Sequence, residues 1–294
     1  MHKTIRTPTL EIAYLERGAA DGTPIILMHG WPSDVHDWDD VAPPLAAAGY
    51  RVLVPYLRGY GPTRFLDPAT PRSGQQAALG ADLRDFIDAL GLPPAILAGY
   101  DWGGRACCIT AAFWPEKVRG LVSITGYNIQ NIPKAGLPSF ADTEYRLWYQ
   151  WYLNTDRGHA GLIENRRDFC RLLWRLWSPN WNFDDATFEA TAISFDNPDF
   201  VEVTVQSYRH RYAKAPGDPL LEPLEDRLAV QPSISVPTIN LHGAADGVGP
   251  SHESDHDGRH FTGGYERRII PVAGHFLSRE TPDAVVQAVL DLLR

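Results

Sequence analysis

Along the first 125 residues, short apolar runs alternate with amphipathic stretches at the spacing of strands and helices in an α/β domain. Residues 10–15 alternate apolar and polar side chains, which predicts a half-buried strand, and residues 18–22 read as a turn. Pro24 to Met28 is unbroken apolar sequence, the mark of a buried strand, and it ends in His29-Gly30-Trp31-Pro32. Ser33 and Asp34 offer N-caps for a helix running toward Ala48, with Gly49 as its C-cap. Residues 51–55 predict the next strand, followed by a loop at 57–63. Residues 73–90 predict an amphipathic helix with Leu79, Leu83, Phe86, Ile87 and Leu90 on one face, closed by Gly91. Residues 94–98 and 120–125 predict two further buried strands, with a helix at 105–113 between them.

This alternation implies an α/β fold with a mostly parallel central sheet and helices on both faces. In such sheets the site lies beyond the carboxyl ends of the strands. His29-Gly30-Trp31-Pro32, Arg58-Gly59 and Asp101 all follow strand ends, so they should converge. The pattern changes near residue 128. Residues 139–228 hold no clear parallel strand and are rich in aromatics and arginine, which predicts a helical insertion. Strand patterns return at 236–243 and 265–272, and a helix from about 281 to 293 closes the chain. The expected division is a first core part at 1–130, a helical cap at 131–230 and a second core part at 231–294.

Composition changes this picture little. A chain of 294 residues can bury a large core. A net charge of −9 argues against nucleic acid or an anionic membrane as partner, since both call for a basic face. Cys107 and Cys108 adjoin within a predicted helix and Cys170 stands alone, so no disulfide framework is expected. No apolar leader precedes the first strand and no stretch is long enough to cross a bilayer. The expected address is the cytoplasm and the expected state a monomer or homodimer.

The chemistry centres on Gly99-Tyr100-Asp101-Trp102-Gly103-Gly104. Glycines two places before and after Asp101 suit a tight turn in which side chains would collide with strand and helix. Such a turn lifts Asp101 above the sheet edge, beside free N–H groups that favour an anion or a developing oxyanion. The spacing is that of the G-x-S-x-G nucleophile elbow, with aspartate in place of serine. An aspartate there forms an ester with an electrophilic carbon. Asp246, in Gly243-Ala244-Ala245-Asp246-Gly247, and His275, in Gly274-His275-Phe276-Leu277, each follow a predicted strand on the same rim. Alone, Asp101 reads as a helix cap, Asp246 as an Asx turn and His275 as a loop histidine. Together, in the order nucleophile, acid, histidine, they read as a triad whose acid orients a neutral imidazole that activates water.

With these motifs the chain resembles the α/β-hydrolase superfamily, and within it the epoxide hydrolases with an aspartate nucleophile. The likeness covers nearly the whole chain and rests on His29-Gly30-Trp31-Pro32, Gly99-Tyr100-Asp101-Trp102-Gly103, Asp246, His275 and the cap. It implies Asp101 as nucleophile, His275 as base, Asp246 as its orienting acid, and an oxyanion hole from the backbone N–H groups of Trp31 and Trp102. It also implies a cis Trp31–Pro32 bond, an isomer confined in practice to X–Pro. Two cap tyrosines that hydrogen-bond the epoxide oxygen are matched by Tyr208 and by Tyr149, with Tyr152 and Tyr145 as alternates. The substrate pocket is expected among His29, Pro32, Trp148, Trp151, Tyr152 and Phe276. The implied activity opens a small apolar epoxide with water to a vicinal diol, using neither metal nor cofactor.

The rival reading keeps the covalent machinery and changes the leaving group to halide. A halide needs N–H donors, and Trp102, Trp148 and Trp151 offer them. Fluoroacetate dehalogenases carry two arginines after the nucleophile; Arg105 stands at one of these positions and Trp102 at the other. A non-catalytic binding module on the same fold is the third reading. Three further features are read as structural. The run at 251–257 is a solvated helix start without metal-ligand spacing. Gly59-Tyr60-Gly61 is a loop, and Arg209, His210 and Arg211 are cap-surface or salt-bridge residues.

Overall fold

The computed structural model describes residues 2–293. One sheet contains β1 (Lys3–Arg6), β2 (Leu10–Arg17), β3 (Pro24–Met28), β4 (Arg51–Pro55), β5 (Arg64–Phe65), β6 (Ala95–Gly99), β7 (Val118–Ile124), β8 (Thr238–Gly243) and β9 (Tyr265–Ile270). Its order is β1-β2-β4-β3-β6-β7-β8-β9, with the short β5 paired to β2. From β4 to β9 the pairing is parallel; β1, β2 and β5 add an antiparallel edge. Every residue of β3 and β6 is buried, because helices cover both faces, and this is why their sequences lack alternation. β1 is exposed along most of its length and carries no apolar run, so periodicity does not announce it.

Helices α1 (Ala42–Ala47), α2 (Gln76–Ala89) and α3 (Asp101–Phe113) belong to the first half of the core. The helix expected from Ser33 onward is split into a 3₁₀ turn at Val35–Trp38 and α1. Asp34 caps only the 3₁₀ turn, and Pro43-Pro44 admit a helix only when they occupy its first turn. α2 starts three residues later than its apolar pattern suggests. Ser73 and Gly74 serve other partners: the carbonyl of Ser73 accepts from Arg58 Nη1, and Gly74 N–H donates to Gln206.

Between β7 and β8 lie α4 (Ile132–Ala135), α5 (Ala141–Arg146), α6 (Trp148–Asn154), α7 (Asp156–Trp177), α8 (Asp185–Ala192), α9 (Phe200–Arg211) and α10 (Glu222–Leu228), with no strand among them. α11 (Leu277–Glu280) and α12 (Pro282–Asp291) close the chain. The inserted helices are fastened to the core by buried polar contacts. Trp174 Nε1 donates to Pro32 O at 2.7 Å, Trp31 Nε1 to Thr204 at 3.1 Å, and Ala77 N–H to Glu225 at 2.8 Å. Among the described residues no helix is long and apolar enough to cross a membrane.

Parallel register sets the site. Met28 of β3 lies opposite Gly99 of β6, so the chain leaves both strands at one level and the two following loops meet. Gly243 of β8 lies opposite Ile270 of β9, which brings the loops after these strands onto the same rim.

Candidate active site

The turn from β6 into α3 is tight enough to exclude side chains at its flanks. A Cβ on Gly99 would stand 2.7 Å from the backbone of Gly103, and one on Gly103 would stand 2.2 Å from the Met28 carbonyl. Between them Asp101 takes φ +49, the left-handed region that side chains rarely occupy. Its carboxylate is thereby held at the cavity wall, where Oδ1 accepts from the backbone N–H of Trp31 at 2.8 Å. The Trp31–Pro32 bond is cis. Trp102 follows in the first turn of α3, whose N–H groups have no carbonyl one turn earlier to serve.

Asp246 and His275 come to the same point. His275 Nδ1 lies 2.9 Å from Asp246 Oδ2, and since a carboxylate only accepts, Nδ1 carries the proton. Asp246 is fixed in turn by the N–H groups of Val248 at 2.7 Å and Gly249 at 3.2 Å. His275 Nε2 has no hydrogen-bond partner among the described residues and stands 4.0 Å from Asp101 Oδ2. Burial alone would lower the His275 pKa, but the charge and hydrogen bond of Asp246, with Asp101 behind them, outweigh it and hold the imidazole above its ordinary value. Burial would raise Asp246, yet His275 and the hydrogen bonds keep it below the usual range.

Tyr149 on α6 and Tyr208 on α9 meet with ring centroids 5.6 Å apart and perpendicular planes. Both pack on Trp31, at 5.6 Å and 5.3 Å. Burial, then the nearby Asp101 charge for Tyr149 and the Tyr149 and Asp101 charges for Tyr208, push both phenols well above their ordinary pKa, so each keeps its proton. Tyr149 borders the cavity, whereas Tyr208 is enclosed in the aromatic cluster. Gln150 organises this corner. Its Oε1 accepts from Arg211 Nη1 at 3.0 Å and from the Tyr212 hydroxyl at 2.7 Å, which leaves Nε2 to donate to Tyr149 Oη at 2.9 Å. Because that oxygen is already accepting, the Tyr149 proton is free to point elsewhere.

Asp101, Tyr149, Gln150, Asp246 and His275 border a cavity of about 470 Å³ whose other walls include Arg105, Asn128, Gln130, Trp151 and Arg211. The volume suits a small molecule, but the lining is far more polar than that of an ordinary apolar ligand pocket. A family profile describing the alpha/beta hydrolase fold matches residues 23–282. The chain belongs to the α/β-hydrolase fold family. Within it this hydrolase is epoxide hydrolase-like. It is 34% identical over 120 residues to a bifunctional epoxide hydrolase 2 of Mus musculus, a stretch covering 40% of this chain and 20% of the mouse protein. It is 36% identical over 125 residues to a haloalkane dehalogenase of Mycobacterium marinum, covering 41% of this chain and 40% of the other. The chain thus spans two fifths or less of these relatives. The crystal structure of a candidate epoxide hydrolase from Klebsiella pneumoniae is 46% identical and superposes with a TM-score of 0.96, covering 99% of this chain and 96% of that one.

Several expected site residues of the α/β-hydrolase lie elsewhere. Of the six residues expected to line the pocket, Trp151 alone borders the cavity. His29 is fully buried and structural: Nε2 accepts from Leu57 N–H at 3.1 Å, which leaves Nδ1 to donate to Gly30 O at 3.0 Å. Pro32 supplies the acceptor for Trp174. Trp148 packs on Tyr152 and Phe169, and the Tyr152 hydroxyl faces Gly161 on α7. Phe276 is enclosed by Tyr100, Trp174, Trp177 and Trp181. Tyr145 is 76% exposed. For Trp148, Tyr152 and Phe276 the cause is shared: apolar rings gain more from one another than from a polar void. In the run at 251–257, Ser254 is buried and Asp257 accepts from Tyr127 N–H, so it is more than a solvated helix start. Arg209 pairs with Asp156, but Arg211 is 5% exposed and faces the cavity, contrary to a cap-surface position. Gln150 and Arg211 were the residues missed. A signal existed: Arg211 lies three residues after Tyr208, on the same helix face.

Proposed function

We propose that this hydrolase opens an oxirane to a vicinal diol through an ester on Asp101. The observation that carries the reading is the alignment of Asp246, His275 and Asp101, with the free Nε2 directed at the Asp101 carboxylate. An Asp101 oxygen attacks a ring carbon and the C–O bond breaks. Its electron pair passes to the ring oxygen, which takes a proton from Tyr149, with Tyr208 as second donor. His275 Nε2 then removes a proton from water as the oxygen adds to the ester carbonyl carbon. The N–H groups of Trp31 and Trp102 hold the resulting oxyanion. Collapse releases the diol oxygen and leaves Asp101 as a carboxyl group. The imidazolium and carboxyl protons return to the diol alkoxide and the phenolate, so the cycle closes.

Single turnover in ¹⁸O-labelled water with excess enzyme tests the ester. Label is expected in Asp101 first and in the diol only on later turnovers; label entering the diol at once means direct attack by water. One observation favours a second reading, halide displacement: Trp102 Nε1 is buried with no partner among the described residues and is a donor of the kind halide needs. Halide release from haloalkanes, with no diol from epoxides, would select it. A protein that produces neither is a binding module.

A further inference from the structure

We propose that His242 is a positioning residue that holds Asp246 in line with His275, and so serves hydrolysis of the Asp101 ester but not its formation. The kinetic part rests on reading Asp101 as the nucleophile; the hold on Asp246 rests on geometry alone.

Asp246 sits where regular structure has stopped, between the end of β8 at Gly243 and a 3₁₀ turn at Ser251–Ser254, so its carboxylate is only as fixed as that loop. On the near side the Ala273 carbonyl accepts from Ala245 N–H and the Trp177 carbonyl from Gly247 N–H, both at 2.9 Å. On the far side Val248 and Gly249 give their N–H groups to Asp246 Oδ1. Packing does little for Gly249: it is half-buried, and among the described residues a Cβ on it would meet Glu253 Oε2 alone, at 3.3 Å. His242 supplies the hold, with Nε2 2.9 Å from the Gly249 carbonyl. A carbonyl only accepts, so Nε2 carries the proton. One line of hydrogen bonds therefore runs from His242 through Gly249 and Asp246 to His275, whose Nε2 faces Asp101.

His242 is fixed in turn. It is 2% exposed, and its Nδ1 lies 2.8 Å from Ser254 Oγ. The Ser254 hydroxyl has one proton and two acceptors in reach, Nδ1 and the Ser251 carbonyl at 2.9 Å. That carbonyl already receives Arg267 Nη2, whereas Nδ1 has no other donor among the described residues, so the proton belongs on Nδ1. Arg267 Nε donates to the same Oγ at 2.9 Å and aims it. Burial, with the Arg267 and His275 charges, lowers the His242 pKa against the pull of Asp246 and the Gly249 carbonyl, which keeps the ring neutral. With both nitrogens engaged, His242 borders the cavity but offers water no lone pair. In this it differs from His275.

Ester formation uses the Asp101 carboxylate and the two phenols, and His275 enters when water attacks. Loosening Asp246 lets the imidazole change tautomer and direction, which affects the second step alone.

Rapid-quench mass spectrometry of intact protein, with styrene oxide as the oxirane, separates the two steps. His242→Leu is expected to slow ester hydrolysis about tenfold, a neutral hydrogen bond's worth, with ester formation within about twofold of wild type. The ester then accumulates. His242→Gln restores the hydrolysis rate, because its carboxamide N–H can reach the Gly249 carbonyl. Ser254→Ala, which frees Nδ1 but keeps the ring, is expected to slow hydrolysis about threefold and gives a second test if His242→Leu fails to fold. A signal free of turnover is the His275 Nδ1 proton, expected far downfield in ¹H NMR and identified by its loss in His275→Gln. It should broaden by exchange with water in His242→Leu and sharpen again in His242→Gln. Wild-type hydrolysis, or both steps slowed alike, with an unchanged proton signal overturns the positioning role and leaves the Asp101 reaction standing. A broadened signal in His242→Leu, with no ester on wild type or any variant, keeps the hold on Asp246 and overturns the oxirane reaction.

Discussion

Asp101 occupies a backbone conformation that disfavours side chains by about 1–3 kcal/mol, and the reward is a carboxylate facing both Trp31 N–H and His275. In the free protein that carboxylate, together with Asp246, raises His275 above its ordinary 6.5. Esterification removes the Asp101 charge and with it one of the causes of the shift. Ester hydrolysis needs neutral His275, so kcat is expected to rise with pH through an apparent pKa below that of His275 in the free enzyme. Comparing the hydrolysis-limited kcat profile with an NMR titration of free His275 checks this; equal values would mean Asp101 is not esterified. The stability contribution has the opposite sign. A folded pKa above the unfolded one stabilises the fold below about pH 6.5 and is lost as pH rises through the folded value, while hydrolysis is gained. Replacement His275→Gln is expected to trap the ester, seen as intact protein heavier by one substrate. At the neighbouring phenols, Tyr149→Phe is expected to slow ester formation about 10²–10³-fold, as losing one donor to a developing oxyanion does. Gln150→Leu frees the hydroxyl Gln150 holds and is expected to lose about tenfold or less, a neutral hydrogen bond's worth. Stopped-flow tryptophan fluorescence resolves both, and a Gln150→Leu enzyme slowed as much as Tyr149→Phe would assign Gln150 a direct role.

At the scale of elements, what could be read in the chain was what depends on local pattern. The buried parallel strands, the elbow and the helical character of 131–230 follow from apolar runs, glycine spacing and the loss of strand periodicity. The elbow geometry gives a direct check. A methyl group on Gly103 would meet the Met28 and His29 carbonyls at 2.2 and 2.4 Å, backbone atoms that cannot turn aside. Gly103→Ala is therefore expected to destabilise the fold by about 1–3 kcal/mol in urea unfolding and to lower activity, because relief means moving β3 from β6. Unchanged stability would show that the two loops are not locked together. What could not be read was which face of each cap helix looks inward. Trp148 and Tyr152 have the composition of a pocket and pack instead, half-buried, against the apolar core, while Gln150 and Arg211 have the composition of a surface and face the void. Helical spacing tells which residues share a face, but only tertiary packing decides where that face points.

For the molecule as a whole, the end of α7 joins the inserted helices to the loops that carry Asp246 and His275. The Trp177 carbonyl accepts from Gly247 N–H at 2.9 Å and from His275 N–H at 3.1 Å, so one cap residue ties the acid loop to the histidine loop. Ser178, next to it, accepts from Phe276 N–H at 3.0 Å and donates to Glu280 Oε1 at 2.6 Å. Burial raises the Glu280 pKa above 4.5, and the Ser178 and Gly274 hydrogen bonds hold it back. Removing the hydroxyl therefore has two consequences with different pH dependence. Phe276 N–H loses its acceptor at every pH, whereas the carboxylate loses its donor only when ionised. Since the folded pKa lies above the unfolded one and Ser178→Ala raises it further, the ionised form becomes still less favourable in the folded state. The loss is expected to be smaller near pH 4, where Glu280 is protonated when folded, and to grow to about 1.5–3 kcal/mol near neutrality, as for a hydrogen bond to a charged group. Urea unfolding of both proteins across this range measures the difference. A loss independent of pH would mean that Ser178 acts only through Phe276, and that Glu280 is held by Gly274 alone.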